Sequence, residues 1–598
     1  MKKNTLTKVL LTGICAVALA SCSSEEPVSG NGNEPVPPFS ADDVAYLAID
    51  IKDANTISKG EDAGFSYGVD EQDVTNAYFY FYDAEGNFVT EANIWEGDGN
   101  VNPGDKENVE YFGSQTVVLT GVGANHSAYM VTVLNRPDGF EYGNTLADMR
   151  DKVIASCREG DNFIMTTTSY FGVSDYHDDT YYFATKLQEK NFLKEAPTKD
   201  NLSEDNRVEV YVERLAVKVQ VNLNLTGGTT LTDGRTIYKV PMTVAGETNP
   251  GESGEAATDL YVAFGKWGLN STSKKTALMK SLEGFTASMS VDGWNTWNQG
   301  ALHRSYWGKS YNYGLSGAQL RETFDYVTYE DLKNEFNTGV AYCNESTNEA
   351  ENIGQDGAVV PANTTSVLLK ATVCDKDGNA VELVDYQGIK FLKSQFVTYV
   401  LNARKSTLQY YTRKVSSTDP DGKPLYEYTQ ISPDEVEVVA AGNGTGSVKI
   451  AVKKDVSLYV LGDPVENEGH VTYPDAVLAD NAVVNTALAR ATDNNKAVCY
   501  TDGAMYYPIA IEHLNNPSTS ESAIVDAQYG VVRNHCYVVT INQVKALGNG
   551  VFVPEKVGET GPDPEPLIPE TPKEPKYYVG ARINILSWKI VSQGVTLE

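Results

Sequence analysis

From Tyr577 to Ile590 the chain reads Tyr-Tyr-Val-Gly-Ala-Arg-Ile-Asn-Ile-Leu-Ser-Trp-Lys-Ile, a strand pattern with no sequence neighbour to pair with. Val579, Ala581, Ile583 and Ile585 alternate onto one face, as a half-buried strand requires. Leu586, Trp588 and Ile590 continue the alternation one residue out of phase, which marks a bulge or a change of face. Ahead of this strand lies an acidic tether carrying Pro554, Pro562, Pro564, Pro566, Pro569, Pro572 and Pro575. Proline fixes φ and has no N–H to give a ladder, so the tether favours extended polyproline II and cannot enter a central sheet. A chain ending this way must lay an isolated strand against some existing sheet edge. Two outcomes satisfy that requirement: the strand completes another molecule's sheet, or it docks back on its own body.

The opposite end indicates where the chain resides. Lys2, Lys3 and Lys8 precede an apolar run from Val9 to Ala20, too short to cross a bilayer as a mature helix and typical of an export signal. The run stops at Leu19-Ala-Ser-Cys22, which resembles a lipobox, where the Cys22 thiol is fatty-acylated (palmitate among the acyl groups) and becomes the mature N-terminus. Residues 1–22 are thus expected to form a lipoprotein signal. Residues 23–40, low in complexity and unable to bury a core, read as a flexible tether. Its acidic start, Ser23-Ser-Glu-Glu26, is similar to the surface-export signals of outer-membrane lipoproteins. The expected location is the outer membrane, facing outward, with membrane contact only through the lipid.

Charge narrows the partners. A formal net charge of −32 argues against nucleic acid and anionic membrane surfaces, because phosphate binding needs clustered Lys and Arg. Beyond Cys15 and Cys22, the cysteines are Cys157, Cys343, Cys374, Cys499 and Cys536, odd in number and widely spaced. They read as buried small hydrophobes, not as a disulfide framework or a metal site.

The body reads as mostly β. Ala45, Leu47, Ile49 and Ile51 alternate in a first strand (44–52), followed by a polar loop from Asp53 to Gly68. Further strands are expected at Asn76–Tyr82, Thr116–Thr120 and Tyr129–Leu134, with a hairpin turn at Asp83-Ala-Glu-Gly-Asn87. Helical periodicity is confined to short pieces such as Leu146–Cys157. Val208, Val210 and Val212 alternate in one phase, then Leu215, Val217, Val219, Val221, Leu223 and Leu225 in the other. A switch at Glu213-Arg214 is what a long strand shows when it bends from one sheet to another. Gly227-Gly228 breaks the pattern, which places a domain boundary there, giving 41–227 and 228–553. The second domain is expected to hold strands at Thr236–Val244, Ser366–Cys374, Phe396–Asn402, Ser447–Val452 and Cys536–Val544. A proline-rich arm (554–576) and the terminal strand (577–598) follow.

Four segments, in order, resemble a known family: the shaft subunits of type V pili, and within it the Mfa-type minor-fimbrium major subunit. They are Ala45-Tyr-Leu-Ala-Ile-Asp-Ile51, Val212-Glu-Arg-Leu-Ala-Val-Lys-Val219, Val531-Val-Arg-Asn-His-Cys-Tyr-Val538 leading into Lys545-Ala-Leu-Gly548, and Ile585-Leu-Ser-Trp-Lys-Ile590 with Val595-Thr-Leu597. The stretch from Gly228 to Thr365 matches the family poorly. The resemblance implies two tandem β-sandwich domains of the transthyretin-like, Greek-key type with short helices, plus the arm and a donor strand. It also implies a lipidated monomer whose first strand fills a groove in the N-terminal domain. A surface protease cuts after that strand, the strand leaves, and the C-terminal segment of another subunit enters. The family's Ser-x-Arg site falls at Ser58-Lys59-Gly60 here, so the resemblance implies cleavage between Lys59 and Gly60 by a lysine-tolerant, trypsin-like enzyme. Lys52 is a weaker candidate. Arg136 is followed by Pro137 and is a poor bond to cut. Other copies of the chain, anchor and tip subunits and the protease are the implied partners, and the mature product is a fimbrium on the cell surface that supports adhesion.

Catalysis has little support. His126, His177, His303, His470, His513 and His535 show no paired metal-ligand spacing, and there is no nucleophile elbow, P-loop or dinucleotide fingerprint. No cofactor or metal is expected and the chain is not read as an enzyme. Asp375-Lys-Asp-Gly-Asn379 and Asp419-Pro-Asp-Gly422 read as hairpin turns, not calcium loops. The alternative function is a surface lipoprotein that binds glycans, with Trp294, Trp297, Tyr306, Trp307, Tyr311 and Tyr313 as a stacking platform. An accessory or tip subunit is a further alternative.

Overall fold

A computed structural model describes residues 44–53, 71, 74–93, 111–120, 127–168, 183–193, 203, 206–244, 258–282, 298–299, 304–332, 334–335, 339–442, 445–467, 470–492, 497–514, 524–553 and 589–597. Within them the chain is mostly β, arranged in several sheets with short helices.

The first strand, Val44–Asp53, lies inside a nine-stranded sheet. It runs antiparallel to Tyr111–Thr120 on one side. On the other it runs parallel to Val208–Arg214, with Ile49 opposite Val208, and meets Phe192–Leu193 near its start. The sheet continues through Met165–Thr167 and Tyr129–Leu134 to the hairpin of Ala77–Tyr82 and Phe88–Asn93. That hairpin turns at Asp83, whose carbonyl accepts from Gly86 N–H and whose carboxylate accepts from Asn87 N–H. Phe79, Phe81, Met130, Val131, Val133, Val210 and Val212 are buried in its core.

The long strand bends as its alternation requires. Val208–Arg214 belongs to the first sheet and Ala216–Leu223 to a second, with Leu215 between them. Val208, Val210, Val212, Leu215 and Ala216 are buried in the first core, whereas Val217, Val219 and Val221 are buried in another. The second sheet has four strands in the order Val340–Asn344, Ala216–Leu223, His535–Val544 and Lys589–Leu597. Its buried residues share a core with a longer sheet built around Thr236–Val244, Thr258–Asn270, Ser366–Cys374 and Ala504–Ala510.

Two expectations about local structure need correction. Residues 396–402, expected as a strand, form part of the helix Lys393–Ala403. Phe396, Val397, Val400 and Leu401 recur one helical turn apart and are all buried; over so short an apolar run the period-2 and period-3.6 patterns coincide. Asn481–Ala491 is a further short helix of 11 residues, with Asp480 as its N-cap. The helix expected from Leu146 to Cys157 stops at Arg150. Thr145 and Asp148 form a capping box at its start. Beyond it, Val153–Ile154 pairs with Thr276–Ala277, and Cys157 N–H donates to Asn344 Oδ1 at 2.8 Å.

The five described cysteines are free and buried. Burial pushes the thiols of Cys157 and Cys536 up to about 12 and those of Cys374 and Cys499 up to about 11, which leaves them as unreactive thiols packed with the core.

Candidate functional site

The first strand lies directly against one half of the bent strand, and the terminal strand is one strand removed from the other half. The first strand pairs in parallel with Val208–Arg214, and His535–Val544 pairs in parallel with Ala216–Leu223. The terminal strand, Lys589–Leu597, then pairs in parallel with His535–Val544, from Lys589 opposite His535 to Leu597 opposite Val544, with a register shift between Ile541 and Gln543. Among the described residues it is the last strand of its sheet, and Val595 is buried in the second core. The docked arrangement is therefore the one present in the single chain. Among the described residues the first strand has partners along both edges, whereas the terminal strand has one.

Most of the residues singled out from sequence at these ends lie outside the described residues: Cys22, Lys59, Gly60, Val579, Ala581, Ile583, Ile585, Leu586 and Trp588. Ile590 is within the terminal strand, opposite Cys536. The observed strand thus begins where the expected run was ending and extends to Leu597. Lys52 lies within the paired part of the first strand, opposite Tyr211 and Tyr111.

The bend is held by buried charge. Arg533 is fully buried and its Nε donates to Glu345 Oε2 at 2.8 Å. Arg533 N–H donates to Glu345 Oε1, and Nη1 and Nη2 donate to the carbonyls of Leu278 and Ala277. Glu213, on the bend itself, lies 3.9 Å from Arg533 Nε and 3.7 Å from Lys280 Nζ, and Lys280 also donates to Ser305 O. A second cluster involves Arg214 and Lys218 of the same bent strand. Lys218 Nζ contacts Glu71 Oε1 at 2.7 Å, Tyr342 OH donates to the same carboxylate, and Arg214 Nε donates to Glu71 O. Ions buried this deeply hold together only if every member is matched. The two clusters thus join the bent strand to the strand at 340–344, to the segment before His535, and to Glu71. Sequence reasoning missed both. The available signal was charge inside an apolar alternation: Glu213, Arg214 and Lys218 within the bent strand, and Arg533 after two valines.

Next to Arg533, two histidines that are far apart in sequence meet. The rings of His513 and His535 are 5.5 Å apart; His513 Nδ1 lies 2.7 Å from Tyr537 OH, and His535 Nδ1 lies 2.7 Å from the Arg533 carbonyl. Trp307 packs on His513 and Tyr306 on His535. Both aromatics are buried, at 1% and 2% exposure for Tyr306 and Trp307, so they are not available to stack on a sugar. Tyr311 and Tyr313 are half-buried, and Trp294 and Trp297 lie outside the described residues. The Asp375 carboxylate accepts from the N–H groups of Asp377 and Asn379, and that of Asp419 from Lys423 N–H, so both segments are hairpin turns. Among the described residues no group of three or more His, Cys, Asp or Glu is placed to hold a metal ion.

The described residues thus form a mostly β fold in which a bent strand, held by buried charge, pairs in parallel with the first strand at one half and with His535–Val544 at the other. Residues 498–594, about a sixth of the chain, match the family described as major fimbrial subunit protein type IV, fimbrillin, C-terminal. The resemblance is confined to this C-terminal segment. Two crystal structures are similar in part. One is a candidate cell adhesion protein from Bacteroides eggerthii DSM 20697, 12% identical, over 58% of this chain and 78% of that one, with a TM-score of 0.25. The other is a fimbrial assembly protein from Parabacteroides distasonis ATCC 8503, 10% identical, over 65% of this chain and 97% of that one, with a TM-score of 0.26. At such scores neither informs the reading of this chain. No curated protein matches it.

Proposed function

We propose that this chain is a structural shaft subunit of an outer-membrane-associated type V pilus, of the Mfa type, exported as a lipoprotein through Cys22 and polymerised by donor-strand exchange. Its partners are further copies of itself, anchor and tip subunits, and a trypsin-like surface protease. The observation that carries the proposal is the asymmetry of the two end strands. Removing the first strand strips ladder partners from both Tyr111–Thr120 and Val208–Arg214, and unpaired backbone groups in a sheet interior are costly. Among the described residues, releasing the terminal strand breaks one ladder, along His535–Val544. A slot that is expensive to leave empty and a strand that is cheap to lend favour exchange between molecules. Because lending runs head to tail and does not close, it builds a filament.

Cleavage is placed at Lys59–Gly60, between the first strand and Glu71. The pairing of Lys52 supports this choice over the alternative lysine, since a protease must bind its substrate as an unpaired extended chain. A tandem arrangement of domains, 41–227 and 228–553, is part of the same proposal; the first apolar core also takes in Leu278, Met279, Trp307 and Val532 from beyond residue 228, so the two spans pack against each other along the bend.

Limited trypsin digestion of the purified full chain, with N-terminal sequencing and electron microscopy, tests the proposal. A new N-terminus at Gly60 accompanied by filaments is expected. Deletion of residues 577–598 is expected to leave a folded monomer that does not polymerise. Filaments forming equally well with Lys59 and Lys52 both replaced by alanine would remove the processing step. Filaments from the deletion would remove strand donation.

A further inference from the structure

His513 and His535 are buried, at 0% and 1% exposure, with their rings 5.5 Å apart. Their hydrogen bonds assign the proton on each ring. His535 Nδ1 lies 2.7 Å from the Arg533 carbonyl, which can only accept, so Nδ1 carries the proton. The Tyr537 hydroxyl accepts from Val532 N–H at 2.8 Å and lies 2.7 Å from His513 Nδ1. With its oxygen engaged by Val532, the hydroxyl gives its own proton to His513 Nδ1, and the His513 proton is on Nε2. Both rings are thus satisfied as neutral imidazoles.

A second proton on either ring would be poorly matched by the described residues. The charged groups on the segments around the pair are Arg533, Lys280, Glu213, Glu345 and Glu512. The two bases already face Glu213 and Glu345, and Arg533 places a cation two residues from His535. Glu512 is buried and bonded by Gln528, and burial holds its carboxyl up at about 7, so it is largely uncharged where a histidine takes its proton. The Lys218–Glu71 pair belongs to the other face of the sheet, since Lys218 stands opposite Cys536, one residue out of phase with His535. The faces of Trp307 and Tyr306 return to a cation only part of the hydration it would give up. Charging His513 also reverses the Tyr537 hydroxyl. A proton on Nδ1 donates to the oxygen that had been donating, and the hydroxyl proton loses that acceptor in a buried site.

The pair lies where the terminal strand is attached. His535 begins the strand His535–Val544 and stands opposite Lys589, the first residue of the terminal strand. Asn534 N–H donates to Ala216 O and His513 N–H to Gln528 O, so the same two segments tie this start to the bent strand and to the 511–530 turn. We propose that His513 and His535 form an acid-sensitive latch on the terminal strand: neutral rings hold the start of His535–Val544, and proton uptake opens it and loosens Lys589–Leu597. The sign follows from linkage. An exposed imidazole takes its proton near pH 6.5 and the closed site opposes it, so the closed state is fully favoured above that pH and loses ground as pH falls. At pH 5 each histidine favours opening by about thirtyfold. Glu512 works the other way, because the fold holds its proton more tightly, and it keeps the latch closed through mild acid. The hold is on the strand's own chain and does not depend on polymerisation.

The test follows amide hydrogen exchange of the full-length chain at pH 7.5 and pH 5.0, each corrected for the intrinsic rate at that pH, in the regime where exchange reports opening. Every arm carries Glu512→Gln, so that the opposing carboxyl is absent. Exchange in His535–Val544 and Lys589–Leu597 is expected to be at least about thirtyfold faster at the lower pH, with Ser366–Cys374 changed by less than about threefold. Adding His513→Asn and His535→Asn keeps an acceptor for Tyr537 and a donor for the Arg533 carbonyl, and should bring the ratio between the two pH values below about fivefold. Taking the ratio within each variant removes any stability lost to the smaller side chains. A second readout needs no double variant. The Cε1 NMR signals of His513 and His535, assigned from the single variants, are expected to keep their neutral positions until exchange in Lys589–Leu597 rises. Signals that reach the charged position near pH 6.5 while exchange is unchanged would overturn the latch. So would an acid response that the double variant keeps, or one equally large in Ser366–Cys374.

Discussion

Replacing Arg533 with methionine tests whether the bend of the long strand depends on matched buried charge. Methionine roughly conserves the length and apolar bulk of the side chain, so the change is mainly electrostatic. It leaves Glu345, fully buried, without the guanidinium that lies 2.8 Å away. Breaking a buried ion pair on one side costs about 3–5 kcal/mol, because the remaining charge is stranded. Three features hold the estimate to the lower end. Lys280 stays beside Glu213 at 3.7 Å. The Leu278 carbonyl keeps a donor in Thr166 Oγ1 at 3.1 Å. The backbone N–H of residue 533 still reaches Glu345 Oε1. The expected loss is about 3 kcal/mol, and adding Glu345→Gln to Arg533→Met should return about 1–2 kcal/mol by removing the stranded charge. A chain with several cores is not expected to unfold in two states. The suitable assay is therefore native-state hydrogen exchange on the amides of Ala216–Leu223 and His535–Val544, read in the regime where exchange reports local opening. The single variant should speed their exchange by roughly a hundredfold, and the double variant by clearly less. A change of less than about tenfold, or a double variant no better protected than the single, would refute the idea that the bend relies on that pair.

Three further expectations concern single side chains. Burial raises the Glu512 carboxyl from 4.5 to about 7, opposed by its hydrogen bond from Gln528. The folded state therefore holds this proton more tightly; the contribution is fully present below pH 4.5 and is lost as pH rises through about 7. Glu512→Gln should flatten the fall in melting temperature across that window and stabilise the chain at pH 8 by on the order of 2 kcal/mol. A pH profile that keeps its slope would count against it. Trp307→Ala removes a buried side chain from the first core and should cost about 3–5 kcal/mol, seen as faster exchange in Ala77–Tyr82 and Tyr129–Leu134. A folded variant of unchanged stability that loses sugar binding in a glycan array would instead favour the glycan reading. Lys218→Met strands Glu71 less severely than Arg533→Met strands Glu345, because the Glu71 side chain is 11% exposed and keeps the Tyr342 hydroxyl. A loss of about 1–2 kcal/mol is expected, and a loss as large as that of Arg533→Met would place the keystone at the wrong cluster.

The strand content was readable because alternation is local. Tyr129–Leu134, Thr236–Val244, Ser366–Cys374 and Ser447–Val452 have the observed limits of their strands, and the phase change in 208–225 marks the bend because each half faces a different core. Residues 396–402 were misread because aromatic and β-branched residues suit a strand by type, while their spacing suits a helix, and packing decided in favour of spacing. The buried charges were the least visible part. Glu213, Lys280, Glu345 and Arg533 come from four separate segments, and no local pattern says which acid will meet which base. The Val531–Val538 segment stands out in sequence as apolar strand with an arginine and a histidine, and only the fold explains those two residues: one fastens the bend, and the other packs against Tyr306 and His513.

Parallel pairing at both ends bears on how subunits would exchange strands. Parallel neighbours cannot be joined by a tight turn and must come from distant segments, so the first and terminal strands are each tied to their sheets by pairing and not by a hairpin. Either can leave without unthreading the rest. Among the described residues, however, Tyr111–Thr120 pairs with the first strand alone. If the first strand is excised, as proposed, that ten-residue strand loses its ladder at the same moment as one edge of Val208–Arg214 is uncovered. The acceptor site is then not a preformed rigid groove. It has one wall fixed by the charged bend at Glu213 and Arg214, and another wall that an incoming strand must recapture. Ordering that second wall lowers the net gain of each exchange and makes a correctly registered donor necessary to regain it. The same feature favours an incoming strand long enough to span both walls over a short apolar peptide that could satisfy only one.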